Sequence, residues 1–318
     1  MEDINAYNIA VLLPCHNEAL TIADTVKAFK AVLPNSKIYV YDNNSNDSTA
    51  EIAKQHGAII GFEPNQGKGN VVRRMFADIE ADLYVLADGD NTCDASKANE
   101  MIVKLLSLRL DVVVGSRLLN KNNEIIYRRG HYFGNKLFSS IVSIFFGRNF
   151  TDILSGYRVF SRRFVKSFPA KSRKFDIESE LTIHALEQRL PMAEIYTYNS
   201  IRPEGSSSKL RTYNDGIHIL WRIIVLLKII RPMLFFSTIG VIFALISIGI
   251  FLPVLITFFQ TDLIPRLPTA ILSTGIMLVA ISCFVCGIIL DNVSESRKEI
   301  NRLFYLSLPY LNSNKEHK

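Results

Sequence analysis

Through its first 120 residues the chain alternates two hydrophobic patterns. Short unbroken apolar runs fall at residues 9–13, 38–41, 58–62, 83–87 and 112–115. Between them, apolar positions recur every three or four residues over 18–33, 48–56, 69–79 and 98–108, as with Ile22, Val26 and Phe29 in the first. The runs predict strands and the periodic stretches predict helices. Pro34 closes the first helix and Gly57 ends the second. Strands that read as continuous Val, Ile, Leu and Tyr runs are buried on both faces, which is the habit of a parallel sheet. The expected fold class is therefore α/β, a mostly parallel sheet with helices on both faces. Ligands in such sheets bind beyond the carboxyl ends of the strands, and the polar clusters of this chain fall at those ends.

After Arg117 the pattern changes. Residues 137–146 are strongly apolar but too short to cross a bilayer, and fit a core helix or one lying in the membrane interface. Residues 192–198 predict another strand, followed by a polar loop at 202–209. Residues 213–231 predict an amphipathic helix with Ile217, Leu220, Trp221, Ile224 and Leu227 on one side and Arg222, Lys228 and Arg231 placed to reach headgroups. Two uncharged runs follow, at 233–259 and 267–290, each longer than the roughly 20 residues that span a hydrocarbon core. The organisation expected is a catalytic domain at 1–210, a juxtamembrane helix at 211–231 and a two-helix anchor with a tail at 232–318. Arg222, Lys228 and Arg231 precede the first run and Arg297, Lys298 and Arg302 follow the second, while the link between the runs offers only Arg266, beside Asp262. That asymmetry predicts both chain termini in the cytoplasm.

The net charge of +6 admits nucleic acid, anionic lipid or a phosphate-rich substrate as partner. The basic residues form no single block; Arg128, Arg129, Arg162, Arg163, Arg222, Lys228 and Arg231 mostly lie near the hydrophobic half. That placement favours headgroups and phosphates and excludes a nucleic-acid partner from the reading. Of the four cysteines, Cys15 and Cys93 sit near strand ends. Cys283 and Cys286 lie within the second uncharged run and read as small apolar residues, so no disulfide framework is implied.

Four clusters carry candidate chemistry. Asp88-Gly89-Asp90 follows the fourth strand, where two carboxylates can meet Mg²⁺ or Mn²⁺ through hard oxygen ligands and neutralise a diphosphate. An Asp-Gly-Asp is also a common turn; its position at a strand's carboxyl end favours the metal. Residues 65–69, Asn-Gln-Gly-Lys-Gly, open a helix where backbone N–H groups and Lys68 suit an anion, or simply cap the helix. Asp42 ends the second strand and suits a base or ribose edge, while Asn43, Asn44, Ser45 and Asp47 read as turn and capping residues. Asp152, Ser155, Gly156, Tyr157 and Arg158 form the fourth cluster. Arg158 and Arg117 suit bidentate phosphate binding, or surface ion pairs of small consequence. His131 and His184 read as packed or surface histidines.

Taken in order, the segments 14–18 (PCHNE), 41–49 (YDNNSNDST), 65–70 (NQGKGN), 88–90 (DGD), 115–117 (GSR), 152–164 (DILSGYRVFSRRF) and 202–210 (RPEGSSSKL) resemble family 2 glycosyltransferases of the GT-A, Rossmann-like fold. The likeness covers roughly residues 8–231 and is nearer to dolichyl- and undecaprenyl-phosphate sugar transferases, with two trailing spans as in the bacterial members. The resemblance implies that Pro14, Asn17, Glu18 and Asp42 line the nucleotide pocket. It implies that Asp88 and Asp90 meet the metal and diphosphate, with Asp90 the more direct ligand, and that Lys68 supports the nucleotide. Arg117, Arg128, Arg129 and His131 would face the acceptor phosphate, and Ser207 and Lys209 would sit on a loop closing over the donor. Two positions depart from the family pattern: Asn43 stands where a second aspartate is common, and His131 where the dolichyl-type enzymes carry a serine.

The reaction so implied is a single inverting displacement at the anomeric carbon. A lipid phosphate, with a second pKa near ~6, is largely dianionic at neutral pH and needs little deprotonation. Arg117 and Arg158, with Asp90, would serve catalysis, and Asp152 would orient the acceptor or act as a base. The expected donors are UDP-glucose or a UDP-N-acetylhexosamine such as UDP-GalNAc. The expected acceptor is polyprenyl (undecaprenyl) phosphate, at the bacterial cytoplasmic membrane, for envelope glycan or lipid A modification. A homo-oligomer through the spans is a further expectation. A processive polysaccharide synthase is the alternative within the class, but its Gln-x-x-Arg-Trp motif has no counterpart, since the single Trp221 follows Ile219-Leu220. A non-catalytic nucleotide- or lipid-binding membrane adaptor is the alternative outside it, and has no need of paired Asp88 and Asp90.

Overall fold

A computed structural model describes residues 4–118, 152–169, 177–198, 225, 228, 231–263 and 266–310. The expected segment 137–146, the loop 202–209 and most of the helix 213–231 lie outside them, as do Arg128, Arg129, His131, Ser207 and Lys209. The chain divides into two compact units, one of residues 1–215 with 301–318 and one of residues 216–300.

The first unit is built on a seven-stranded sheet in the order β3-β2-β1-β4-β6-β5-β7. The strands are β1 (Ile9–Cys15), β2 (Lys37–Asp42), β3 (Ile59–Phe62), β4 (Leu83–Leu86), β5 (Val112–Leu118), β6 (Arg158–Ser161) and β7 (Met192–Tyr198). Helices α1 (Ile22–Val32), α2 (Thr49–Gln55), α3 (Lys68–Asp78) and α4 (Ala98–Ser107) alternate with the first five strands, and α5 (Arg162–Ser167) and α6 (Ile177–Glu187) follow β6. The strands predicted from the apolar runs are all present. Side chains of β1 alternate across the sheet as the pleat requires. Ile9, Val11, Leu13 and Cys15 enter a core with Val26, Phe29 and Met101, while Ala10 and Leu12 enter a second with Val72, Met75 and Phe160. Each fully buried large apolar side chain contributes about 1.5–3 kcal/mol of transfer free energy.

Three elements differ from the expectation. Helix α1 begins at Ile22 rather than near Glu18: residues 19–21 form a turn and Thr21, at φ −120° and ψ −24°, stands at the N-cap outside helical backbone. Strand β6 and helices α5 and α6 were not anticipated. β6 is antiparallel to both β4 and β5, whereas the other six strands share one direction. The reversal places the start of β6, not its end, on the carboxyl edge of the sheet. The loop 152–157 is thereby brought to the same edge as Asp42 and Asp88.

The second unit is a helical pair, α7 (Pro232–Thr261) and the portion of α8 (Leu267–Ser307) up to residue 300. Both helices are long and apolar enough to cross a membrane. Gly240 packs against Phe284 and Ala280, Gly287 against Met233 and Phe236, and the buried Ser247 hydroxyl donates to the Ser273 carbonyl at 2.7 Å. Cys283 and Cys286 are free thiols, in keeping with their reading as small apolar residues. At about 1.5 Å per residue, the 41 residues of α8 reach roughly 60 Å, well beyond a hydrocarbon core.

Candidate active site at the carboxyl edge of the sheet

β1 and β2 lie in register so that Pro14 faces Tyr41 and Cys15 faces Asp42. Beyond their ends the two following loops are tied together. The Asn17 amide nitrogen donates to Ser45 Oγ at 2.9 Å, and Asn17 Oδ1 accepts from the Asn46 N–H at 2.7 Å. The Glu18 N–H donates to Thr49 Oγ1 at 2.9 Å. These residues form one wall. Asp42 Oδ2 accepts from the Ser45 N–H at 3.1 Å, while its buried Oδ1 has no hydrogen-bond partner. A buried carboxylate oxygen left in that state is costly unless a ligand donor meets it.

Asn43 was expected to be a turn residue and does more. Its Nδ2 donates to the carbonyls of Glu63 and Asn65 at 2.8 and 2.9 Å, and its Oδ1 accepts from the Gly67 N–H at 2.6 Å. This side chain sets the glycine-rich loop that precedes α3. Gly67, at φ 129°, occupies backbone space that other residues rarely adopt. α3 then starts with Lys68.

The Asp88-Gly89-Asp90 turn is held from beneath by α1. Thr21 Oγ1 and Thr25 Oγ1 donate to the Gly89 carbonyl at 2.9 and 3.2 Å, and a Cβ on Gly89 would collide with the Cys15 sulfur. Asp90 is buried, its Oδ1 accepting from Thr92 Oγ1 at 2.6 Å. Asp88 is the more open of the two and pairs through Oδ1 with the Lys68 ammonium. Lys68 also donates to Glu178 Oε1 at 2.6 Å, from the first turn of α6. Burial alone would lower the pKa of Lys68, but the charges of Asp88 and Glu178 outweigh it and hold the ammonium above the ordinary lysine value. The Cys15 thiol is driven well above its usual range by burial, then by the surrounding Glu18, Asp88, Asp42 and Asp90. Cys93 is pushed up to about 12 by burial, with Asp88 and Asp90 adding to it. Neither thiol is a nucleophile at neutral pH. The Lys68 ammonium thus lies between two carboxylates, Asp88 and Glu178, at the sheet's edge.

The profile of Glycosyl transferase family 2 matches residues 10–168. The chain belongs to this family. An uncharacterised protein of Shigella flexneri is 54% identical over 155 residues, covering 49% of this chain and 95% of the relative. Glycosyltransferase AglJ of Haloferax volcanii is 28% identical over 298 residues, 93% of this chain and 97% of the relative. Among solved structures, glucosyl-3-phosphoglycerate synthase from Mycobacterium tuberculosis, in complex with Mn²⁺, uridine diphosphate and glucosyl-3-phosphoglycerate, aligns with a TM-score of 0.55 at 21% identity, over 70% of this chain and 79% of that one. The fold is GT-A, and the molecule is a glycosyltransferase.

In this family 2 enzyme the loop before β6 completes the edge. A Cβ on Gly156 would stand 2.8 Å from Asp88 Oδ2 and 3.0 Å from Lys68 Nζ, so the loop passes directly against the acidic cluster. Asp152 is buried in the same loop. Arg158 requires a correction: it was expected to grip phosphate, but it is fully buried within β6. Its Nε and Nη2 donate to the carbonyls of Ser155 and Ile153 at 2.8 and 2.6 Å, which makes it the internal brace of the loop. Ser155 Oγ adds a bond to the Gly115 carbonyl at 2.5 Å. Arg117 lies near the carboxyl end of β5, its backbone in register with Thr197. His184 is buried edge-on against Phe164 and Phe168, the packed one of the two alternatives the sequence left open. Glu178 is the site residue that sequence reasoning missed. Nothing in the segment 177–187 singled it out, since Glu180 and Glu187 are equally acidic positions of the same helix.

Proposed function

We propose that the chain transfers a sugar, with inversion, from a nucleotide diphosphate sugar to polyprenyl (undecaprenyl) phosphate at the cytoplasmic membrane of a bacterium. The observation that carries this reading is the convergence of Asp88, Asp90 and Lys68 at one strand edge, in a chain that also contains two membrane-length helices. The Mn²⁺ and uridine diphosphate named for the Mycobacterium tuberculosis enzyme support a uridine diphosphate donor. UDP-glucose or a UDP-N-acetylhexosamine such as UDP-GalNAc fits best.

Asp88 and Asp90 would hold Mg²⁺ or Mn²⁺. Their oxygens suit a hard cation, and among the described residues no third acidic, histidine or cysteine ligand joins them in a metal-holding group. Two carboxylates leave coordination positions for the diphosphate and water, the usual arrangement for Mg²⁺ on a nucleotide. The bound ion supplies charge neutralisation of the leaving diphosphate. Asp42, through its partnerless Oδ1, receives a donor from the base or ribose, with Pro14, Asn17 and Glu18 forming the adjoining wall. Arg117, Arg128, Arg129 and His131 hold the acceptor phosphate. Asp152 orients the acceptor, and Ser207 and Lys209 close over the donor. A phosphate oxygen attacks the anomeric carbon, the bond from that carbon to the β-phosphate oxygen breaks, and uridine diphosphate leaves with the bonding electrons. The two apolar helices span the membrane with both termini in the cytoplasm, bringing the acceptor to the enzyme in the plane of the bilayer.

Purified full-length protein incubated with labelled UDP-sugars, undecaprenyl phosphate and Mg²⁺ tests the proposal. Label is expected in a lipid-soluble, mild-acid-labile product from one of these donors. Transfer only to water-soluble acceptors would overturn the lipid acceptor.

A further inference from the structure

The Lys68 ammonium lies between two carboxylates, those of Asp88 and Glu178. The two are not equivalent. The Glu178 side chain is 9% exposed and that of Asp88 is 37% exposed, with Lys68 itself at 11%. Glu178 sits on the first turn of α6, where the helix N-terminus favours a carboxylate. Asp88 sits on the turn that faces the ligand edge. Gly156 limits the room on Asp88's other side, since even a Cβ there would crowd both Asp88 Oδ2 and Lys68 Nζ.

We propose that Glu178 is a positioning residue, the standing partner of the Lys68 ammonium, whose presence allows Asp88 to pass from that ammonium to a divalent cation. The inference rests on the reading of Asp88 and Asp90 as metal ligands. A buried ammonium deprived of its carboxylate is costly. With Glu178 in place, Asp88 can turn to the cation and Lys68 stays paired. With glutamine at 178, the pair Lys68–Asp88 becomes exclusive. A cation then has to break it and leave the ammonium beside it without a counter-charge. The effect of Glu178 on metal binding therefore runs through Lys68 rather than through its own charge.

This predicts a non-additive pair of effects that a direct ligand or a general field effect would not produce. Binding of Mn²⁺ to the full-length protein, at saturating uridine diphosphate, is read from the electron paramagnetic resonance signal of free Mn²⁺. Glu178→Gln is expected to weaken Mn²⁺ binding about tenfold, within the range for residues that support metal ligands from outside the coordination shell. Lys68→Met removes the competitor and is expected to bind Mn²⁺ at least as tightly as the native chain. The double variant Lys68→Met/Glu178→Gln should bind within about threefold of Lys68→Met alone, with no ammonium left to strand. A double variant about tenfold weaker than Lys68→Met, the additive result of a field effect or of direct ligation, or unchanged binding in Glu178→Gln, overturns the proposal. Should Glu178→Gln fail to fold, weaker binding by Lys68→Met overturns it equally. Absence of Mn²⁺ binding in the native protein would instead contradict the metal site itself, and the inference with it.

Discussion

At position 43 the geometry asks for an amide. Two carbonyls, of Glu63 and Asn65, need a donor, and the Gly67 N–H needs an acceptor; an ionised aspartate accepts only and could meet just the last. The departure from the family's paired aspartates thus has a local cause, and of the two residues 42 and 43 it is Asp42 that keeps a buried oxygen without a hydrogen-bond partner. Gly156 is a second position where one side chain decides the site. An alanine there would press on the side-chain ends of Asp88 and Lys68 rather than on backbone. Gly156→Ala is therefore expected to leave thermal stability within about 2 °C of native, because flexible groups absorb the contact. The same change should weaken uridine diphosphate binding about tenfold, roughly 1.4 kcal/mol, as measured by calorimetry. Native affinity in that variant would show that the loop does not border the nucleotide.

Among the elements, β1 to β5 and β7 were legible because each is a continuous apolar run, and helices α1 to α4 because their apolar positions repeat at helical spacing. β6 was not. It is only four residues long, Arg158–Ser161, and opens on a buried charged side chain whose Nε and Nη2 are met by backbone carbonyls. No pattern of polarity marks a buried arginine as part of a strand. The positions of the candidate residues were legible to a similar degree: Asp42, Asp88 and Asp90 stand at or just beyond strand ends and Lys68 opens α3, as the alternation placed them. Glu178 was hidden because its partner Lys68 is 110 residues away. The end of α8 shows the same limit. Tyr305 donates at 2.7 Å to Asp111, a fully buried carboxylate that also accepts from Ser161 and, through two nitrogens, from Arg163. Arg163 lies over the rings of both Tyr305 and Tyr310. These four donors fill the capacity of one carboxylate. Removing one by Tyr305→Phe is expected to cost about 2 kcal/mol and to lower Tm by about 4–8 °C in the detergent-solubilised protein. An unchanged Tm would mean that the terminal residues contribute nothing to the catalytic unit.

For the molecule as a whole, a GT-A unit and a pair of membrane-length helices share one chain, and residues 301–310 return to the catalytic unit through the Asp111 cluster. A donor-binding edge on such a chain suits an acceptor that is itself confined to the bilayer. In the proposed function Asp88 and Asp90 take the cation, Lys68 supports the nucleotide, and Arg117, Arg128 and Arg129 take the acceptor phosphate. The account depends most on Asp90, which is buried at the turn with one carboxylate oxygen fixed by Thr92. Sugar transfer from UDP-sugar to undecaprenyl phosphate, compared between native and Asp90→Asn protein in the same membranes, tests it most directly. The account predicts a loss of at least about 100-fold, near the scale seen when one preorganised electrostatic group is removed, with membrane insertion intact. Transfer by Asp90→Asn at the native rate would contradict it.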